Sequence, residues 1–320
     1  MQKVPEAGYP IKGLPVAGLQ RSLSLANLSF PFKLLKSLRI ASKIVKDFRP
    51  DAVVGVGGYA SGPVLFAAQR KGIPTLLQEQ NSYAGLTNKL LAKRAKTICV
   101  AYPGMEKFFP KEKIQVTGNP VRKDILDLTG KKEKAQRHFG LAEDRKTILV
   151  LGGSLGAKTL NQAVLKDQKD LEKSGYQVLW QCGKFYFKEM LEKLEASGLK
   201  HIHLREFIRE MDLAYAAADV IVSRAGALSV SELSLVGKPV IFIPSPNVAE
   251  DHQTKNALAY VDHQAAILLR DSEAVGKLKS TVDALVQDSE MRKALGENMK
   301  KLAKPDAALA IVNELENLIR

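Results

Sequence analysis

The chain has 320 residues, 45% hydrophobic and 26% charged, which is long enough for two domains that each bury a core. No apolar run reaches the ~18 residues of a membrane span, and Cys99 and Cys182 lie far apart outside any C-x-x-C setting, which excludes a disulfide scaffold and leaves buried, reduced thiols as the expectation. The net charge of +14 is uneven, because residues 1–120 hold 18 Lys/Arg against 6 Asp/Glu and residues 121–320 hold 30 against 28, so attraction for an anionic partner belongs to the first half.

The first eight residues lack the apolar core of a signal peptide. The opening segment is loop-like and dotted with prolines. Residues 23–48 follow, where Leu34, Leu38, Ala41, Val45 and Phe48 form a helical stripe that reads as a core-facing side. Phe30, Phe32 and Leu34, with Leu23, Leu25 and Leu28 before them and Lys33 and Lys36 beside them, fit an interfacial patch for an anionic membrane surface. The first convincing strand is 52–56. A strand–glycine–helix opening unit of roughly 30 residues is therefore expected to be missing from the first domain.

Strands are then expected at 75–78, 97–100 and 114–117, with helices at 62–70 and 85–93 between them. In the second half they are expected at 147–151, 177–180, 201–204, 220–222, 240–243 and 266–269, separated by helical patterns. Alternation of this kind predicts two successive parallel sheets covered by helices. The expected boundaries are 1–125 for the first domain, 126–304 for the second, and a C-terminal helix at 305–320 that packs back on the first.

Several strand ends carry chemistry. Gly57-Gly58-Tyr59-Ala60-Ser61-Gly62-Pro63 is a glycine turn with Pro63 set at a helix start. Gln78-Glu79-Gln80-Asn81 lies at the C-terminal end of a strand, where open sheets bind ligands, though Asn81 or Ser82 serves equally as a helix N-cap. Arg122, after Gly118-Asn119-Pro120-Val121, is either a phosphate clamp or a solvated interdomain residue. Gly152-Gly153-Ser154-Leu155-Gly156-Ala157-Lys158-Thr159 approaches a P-loop, but Ala157 replaces its second glycine, which leaves a phosphate turn through backbone N–H groups and Ser154, or merely packing glycines. Asp251-His252-Gln253 opens a helix with short polar groups suited to sugar hydroxyls, or with an ordinary Asp cap. His252 and His263 lack partners at metal-ligand spacing.

The most informative stretch is Ser223 to Glu232. A buried strand turns on Gly226 into a helix of good formers ended by Gly237, so free N–H groups face whatever sits above the sheet. Glu232, one turn into that helix, would repel phosphate but suits a pair of sugar hydroxyls. Together they indicate a nucleotide-sugar site.

In this order these segments, together with Ala84-Gly85-Leu86-Thr87-Asn88-Lys89 and Glu206-Phe207-Ile208, closely resemble the MurG family, bacterial transferases that add N-acetylglucosamine (GlcNAc) to lipid I. The resemblance runs from about residue 3 to the end. It implies a GT-B fold, α/β with two Rossmann-like doubly wound domains facing a cleft, here with the first domain N-terminally incomplete. It implies an inverting hexosyltransferase of peptidoglycan synthesis, with UDP-GlcNAc as donor and lipid I (undecaprenyl-diphosphate-MurNAc-pentapeptide) as acceptor. It would sit peripherally on the cytoplasmic face of the bacterial inner membrane. By position, the Ile208 backbone would read uracil and Glu232 the ribose. Ser154 would contact the diphosphate beside the turn at Ala227 and Leu228, which continues through Ser229, Val230 and Ser231. Gln253 and Asn81 would touch GlcNAc hydroxyls and Arg122 would lie near the donor, with Tyr59 and Glu79 on the acceptor side. No metal or other cofactor is expected, and no Asp-x-Asp follows a strand.

The family's glycine-rich opening loop, with the His expected as general base, has no counterpart here. The resemblance therefore also carries the expectation of a wrong internal start or a truncated, weakly active UDP-sugar binder. The competing enzyme readings are another GT-B transferase with a lipid acceptor, such as a diacylglycerol glucosyltransferase, or a UDP-GlcNAc epimerase; the 118–122 and 79–81 motifs argue against both. Nucleic acid is not expected as a partner, because aromatics are only 6% of the chain and the basic residues border an apolar helix.

Overall fold

The computed structural model describes residues 3–16 and 30–320; Leu23, Leu25 and Leu28 fall outside them. The chain divides into two compact units, 1–117 with 309–320, and 118–308. The division falls at Thr117/Gly118 and not at 125/126 because the segment after Gly118 is bonded into the second unit. Asn119 Nδ2 donates to Ser231 Oγ at 3.0 Å, Arg122 Nε donates to Glu232 Oε1 at 3.1 Å, and the turn Lys123–Ile125 buries Ile125.

The first unit runs α1 (Lys3–Glu6), α2 (Phe30–Phe48), β1 (Val53–Gly55), α3 (Gly58–Arg70), β2 (Thr75–Glu79), α4 (Leu86–Ala92), β3 (Thr97–Val100) and β4 (Ile114–Val116). Its sheet is parallel in the order β1-β2-β3-β4, with Leu77 opposite Gly55 and Ile98. Every residue of β2 is buried, as expected of a strand covered on both faces. Leu65, Leu77, Leu91, Ile98, Met105 and Phe109 form its main core.

Two expectations change here. Helix α3 starts at Gly58, four residues early, so Pro63 lies inside it; the missing amide affects only the Tyr59 carbonyl in the exposed first turn. The buried side of α2 is Ser37, Ala41 and Val45, of which Ala41 and Val45 lie against Ala67 and Ala68 of α3. Small residues let the two helices approach closely, and this leaves Leu34 and Phe48, assigned to the core stripe, in solvent.

The second unit runs α5 (Lys132–Phe139), β5 (Lys146–Leu151), α6 (Lys158–Lys173), β6 (Tyr176–Gln181), α7 (Phe187–Glu195), β7 (Ile202–Arg205), α8 (Met211–Ala217), β8 (Val220–Ser223), α9 (Ala227–Val236), β9 (Val240–Phe242), α10 (His252–Val261), β10 (Ile267–Leu268), α11 (Asp271–Gln287) and α12 (Ser289–Lys301). Helix α13 (Ala307–Ile319) begins here, with Ala307 buried, and groups with the first unit from Leu309. The six parallel strands are ordered β10-β9-β8-β5-β6-β7. From β5 the chain winds outward through β6 and β7, then returns to β5's other side for β8, β9 and β10. The order therefore reverses between β5 and β8, and open sheets bind ligands beyond the strand ends at such a point.

Val150, Val178 and Val222, on three adjacent strands, are fully buried, each worth roughly 1.5–3 kcal/mol over exposure. Trp180 is equally buried and donates Nε1–H to Asn161 Oδ1 at 3.1 Å, while Asn161 Nδ2 donates to the Cys182 carbonyl at 2.9 Å. That pair fixes the start of α6 over β6.

Cys99 and Cys182 are free, buried thiols. Burial pushes the Cys99 thiol up to about 12, with the Glu314 carboxylate adding to the shift, and the Cys182 thiol up to about 11. Among the described residues no helix is long and apolar enough to cross a membrane.

Candidate functional site

The two strands at the reversal, β5 and β8, are paired with Leu151 opposite Ser223, so their following turns lie side by side. Each turn leads straight into a helix whose N-cap, Ala157 or Gly226, is extended backbone with no side-chain cap. The first helical bonds run from Asn161 N to Ala157 O and from Val230 N to Gly226 O, both at 2.9 Å. The amides of residues 158–160 and 227–229 thus head their helices without intrahelical acceptors. Two helix N-termini on neighbouring strands sum their partial positive charge above the reversal, which suits an anion such as a diphosphate.

Backbone packing sets the first turn. Gly156 (φ +90°) and Gly183 (φ +86°) press together, so that a Cβ on Gly156 would stand 2.3 Å from the Cys182 carbonyl oxygen and one on Gly183 2.1 Å from the Gly156 nitrogen. Both positions need glycine on sterics as well as φ. Packing alone therefore accounts for these glycines. Ser154 is exposed at the tip of this turn, and its carbonyl accepts from Lys184 N at 3.2 Å.

An ion pair braces the second turn. Arg224 Nη1 donates to the carbonyls of Ile243 (2.9 Å) and Pro244 (3.2 Å) and to Asp271 Oδ1 (2.5 Å), and the other Asp271 oxygen accepts from Thr159 Oγ1 at 2.9 Å. One arginine thus joins the ends of β8 and β9 and the starts of α11 and α6. Arg224 does not project as a ligand; it holds both turns.

Glu232, one turn into α9, accepts from Arg122 Nε on Oε1 and from Tyr215 Oη on Oε2, both at 3.1 Å. Tyr215 is 1% exposed, and its hydroxyl is pushed well above the usual phenol range, first by burial and then by the Glu232 carboxylate. It remains a donor. The sequence reading missed Tyr215, although a tyrosine among the buried residues of α8 must bring its hydroxyl to an acceptor. It also missed Thr159 and Asp271, since Asp271 resembles any acidic residue at a helix start.

The structure sorts the other expected donor residues. Ala227, Leu228 and Ser229 present the leading amides of α9, whereas Val230 is wholly buried and its N–H is spent in the helix. Ser231 Oγ accepts from Asn119 and donates to the Ala227 carbonyl at 3.0 Å, so its hydroxyl secures the segment after Gly118 within the second unit. The Ile208 amide donates to Gln181 Oε1 at 2.8 Å, so its N–H is already committed. Gln253 Oε1 accepts from Ser245 N at 2.9 Å and holds the loop after β9. Asp251 is the N-cap of α10 and accepts from Thr254 Oγ1 at 2.7 Å.

In the first unit, Tyr59 is exposed in the first turn of α3. Glu79 is buried. Its Oε1 accepts from Asn81 N (3.1 Å) and Asn81 Nδ2 (3.4 Å), and its Oε2 from Gly85 N and Asn88 Nδ2 (both 2.9 Å). With both oxygens occupied, Glu79 organises the loop after β2 and the first turn of α4. On α2, Phe32, Leu34, Lys33 and Lys36 are exposed and Phe30 is half-buried; Leu35, not singled out from sequence, is exposed beside them. Among the described residues no group of three or more His, Cys, Asp or Glu is arranged to hold a metal ion.

Residues 147–311 match the glycosyltransferase family 28 C-terminal domain, and residues 1–100 match its N-terminal domain. The chain is 53% identical over 319 residues to the UDP-N-acetylglucosamine–N-acetylmuramyl-(pentapeptide) pyrophosphoryl-undecaprenol N-acetylglucosamine transferase of Flavobacterium psychrophilum, covering 100% of this chain and 86% of that one. It is 54% identical to the protein of the same name from Phocaeicola vulgatus, covering 99% and 85%. Among solved structures, Acinetobacter baumannii MurG superposes with a TM-score of 0.76 at 30% identity, over 99% of this chain and 87% of that one. A UDP-GlcNAc 2-epimerase from Neisseria meningitidis shares the fold alone, with a TM-score of 0.65 at 16% identity over 93% and 83%. With two parallel α/β units, a site at the strand-order reversal and these relatives, the chain belongs to glycosyltransferase family 28 and, within it, to the MurG group of GT-B enzymes.

Proposed function

We propose that this chain transfers GlcNAc from UDP-GlcNAc to the 4-hydroxyl of the MurNAc of lipid I, making lipid II for peptidoglycan. The observation that carries this reading is the pair of uncapped helix N-termini at the strand-order reversal with a carboxylate one turn along α9, in a chain about half identical over its whole length to relatives named for this transfer.

The donor diphosphate takes the amides of Ala227, Leu228 and Ser229 and the Ser154 turn. Glu232 takes the ribose hydroxyls, the main chain at Ile208 the uracil, and Gln253 a GlcNAc hydroxyl, with Arg122 near the phosphates. The acceptor oxygen attacks the anomeric carbon from the face opposite the diphosphate. A new C–O bond forms as the bond to the UDP oxygen breaks, UDP keeps the electron pair, and the hydroxyl proton passes to a general base. Fixed N–H dipoles stabilise the charge that grows on the leaving diphosphate. Tyr59 and Asn81 of the first unit are assigned to the acceptor side and a sugar hydroxyl. The exposed Phe32, Leu34 and Leu35 beside Lys33 and Lys36 rest on an anionic membrane surface at the cytoplasmic face.

Two measurements test this reading. Purified protein given UDP-GlcNAc and lipid I should release UDP only when both are present, with a β-linked disaccharide from the α-linked donor; UDP release without lipid II, or a retained configuration, refutes it. Replacing Phe32, Leu34 and Leu35 by Ser should reduce sedimentation with phosphatidylglycerol vesicles, and unchanged sedimentation removes the patch.

A further inference from the structure

Two groups hold the Glu232 carboxylate, and they differ in rigidity. Arg122 belongs to a loop and its side chain is 40% exposed. Tyr215 stands in α8, where Met211, Leu213, Ala214, Ala216 and Ala217 are buried with it. A phenol has only two side-chain torsions, and here both are set by packing. Its hydroxyl donates to Oε2 and so restrains the carboxylate's rotation about Cγ–Cδ from a rigid position.

A carboxylate offers about four lone-pair positions. Tyr215 and Arg122 take one on each oxygen, which leaves one on each oxygen for two further donors. The 2′- and 3′-hydroxyls of a ribose are such a pair of donors on adjacent carbons. Orientation matters for that match, because a carboxylate turned about its Cγ–Cδ bond can meet one hydroxyl but not both. We propose that Tyr215 is a positioning residue that locks Glu232 for two-point recognition of the ribose cis-diol, and so sets the preference for ribonucleotide over deoxyribonucleotide donors. This rests on the reading of Glu232 as the ribose ligand and goes beyond it, since it places the origin of sugar discrimination in a buried residue that touches no substrate. The raised phenol pKa agrees, because the hydroxyl stays a donor throughout the neutral range.

The test is calorimetric binding of UDP and 2′-deoxy-UDP to wild type, Tyr215→Phe, Glu232→Ala and the double variant. Wild type should prefer UDP about tenfold, the scale of one hydrogen bond to a charged group. Tyr215→Phe should weaken UDP about three- to tenfold while 2′-deoxy-UDP binds as before, so that the preference contracts. In the Glu232→Ala background the same change should have no further effect on UDP. Equal weakening of both nucleotides would show a merely structural tyrosine, and no weakening of either would show an idle one; each overturns the proposal. Absence of any preference in wild type instead strikes the ribose reading of Glu232, and the proposal falls with it. If Tyr215→Phe does not fold, 3-fluorotyrosine at 215 keeps the ring and makes the hydroxyl a stronger donor. The preference should then widen about twofold, and an unchanged preference counts against the lock.

Discussion

Glu79 and Glu232 each stand near a helix N-cap glycine beyond the C-terminal end of a parallel strand, Glu79 in the first unit at the end of β2 before Gly85, and Glu232 in the second, one turn into α9 after β8 and Gly226. Sequence alone gives both the same look: a carboxylate near free amides at the ligand-binding edge of a sheet. Their surroundings separate them. Glu79 is 3% exposed and receives four N–H bonds from Asn81, Gly85 and Asn88, in the loop after β2 and the first turn of α4. Glu232 receives one bond on each oxygen, and its side chain keeps 15% of its surface open. The two carboxylates thus differ in the acceptor capacity that their own fold leaves open.

The comparison breaks or holds on measured stability against measured affinity. The largest effect is expected from Glu79→Ala, which removes the acceptor shared by the Asn81 and Gly85 amides and the Asn88 side-chain amide, and leaves Asn88 Nδ2 its longer 3.4 Å bond to the Gln78 carbonyl. At roughly 1–3 kcal/mol for each donor that loses this acceptor, partly relieved by water because Asn81 is half-buried and Gly85 exposed, urea unfolding should show a loss of about 3–4 kcal/mol. UDP affinity should not change. If Glu79→Ala instead weakened UDP while stability held, the two carboxylates would have to exchange roles.

Next comes Arg224→Met, which sharpens the contrast between bracing and binding within the second unit. Arg224 and Asp271 have side chains only 12% and 16% exposed, and removing one leaves the other's charge buried. A loss of about 3 kcal/mol in unfolding free energy is expected. UDP affinity should fall with it, since both turns lose their common brace. Full affinity in a destabilised variant would show that the turns hold their shape unaided.

Glu232→Ala should show the opposite balance to Glu79→Ala. UDP affinity in calorimetry should drop by about 1–3 kcal/mol, the cost of a hydrogen bond to a charged group. Stability should drop by only about 1 kcal/mol, chiefly because the Tyr215 hydroxyl loses its acceptor while Arg122 can turn to water. Unchanged UDP affinity would remove Glu232 from the site.

Strand positions and the two parallel sheets were legible because buried parallel strands read as short β-branched runs between glycine turns. The Gly226 turn and the Gly237 helix end were legible for the same kind of reason, since each is one local conformation written in one residue type. What stayed hidden was long-range pairing. Arg224 with Asp271 spans 47 positions and Arg122 with Glu232 spans 110, and no local pattern marks either partner. The face of α2 was misread because hydrophobic periodicity ranks Leu34 and Phe48 above Ser37. Close helix packing prefers the smaller side chain, and the long apolar ones are left in solvent. Gly156 gave its turn away, but the contact that requires it is with Gly183, in another loop 27 residues on, which no sequence pattern marked.

The smallest effect tests the finest distinction, that between the main chain and the side chains of α9. Ser231 lies in the segment read from sequence as ligand-binding, yet its hydroxyl accepts from Asn119 and donates to the Ala227 carbonyl. Ser231→Ala removes both bonds and leaves the buried Asn119 amide short of one acceptor, a cost of about 1–2 kcal/mol. Alanine's higher helix propensity returns about half a kcal/mol. The net expectation is a loss near 1 kcal/mol in unfolding free energy with UDP affinity unaltered, since the amides of residues 227–229 stay in place. A drop in UDP affinity with no loss of stability would mean that the hydroxyl leaves Asn119 for the nucleotide, and the division between Glu232 and its neighbours on the same helix would have to be redrawn.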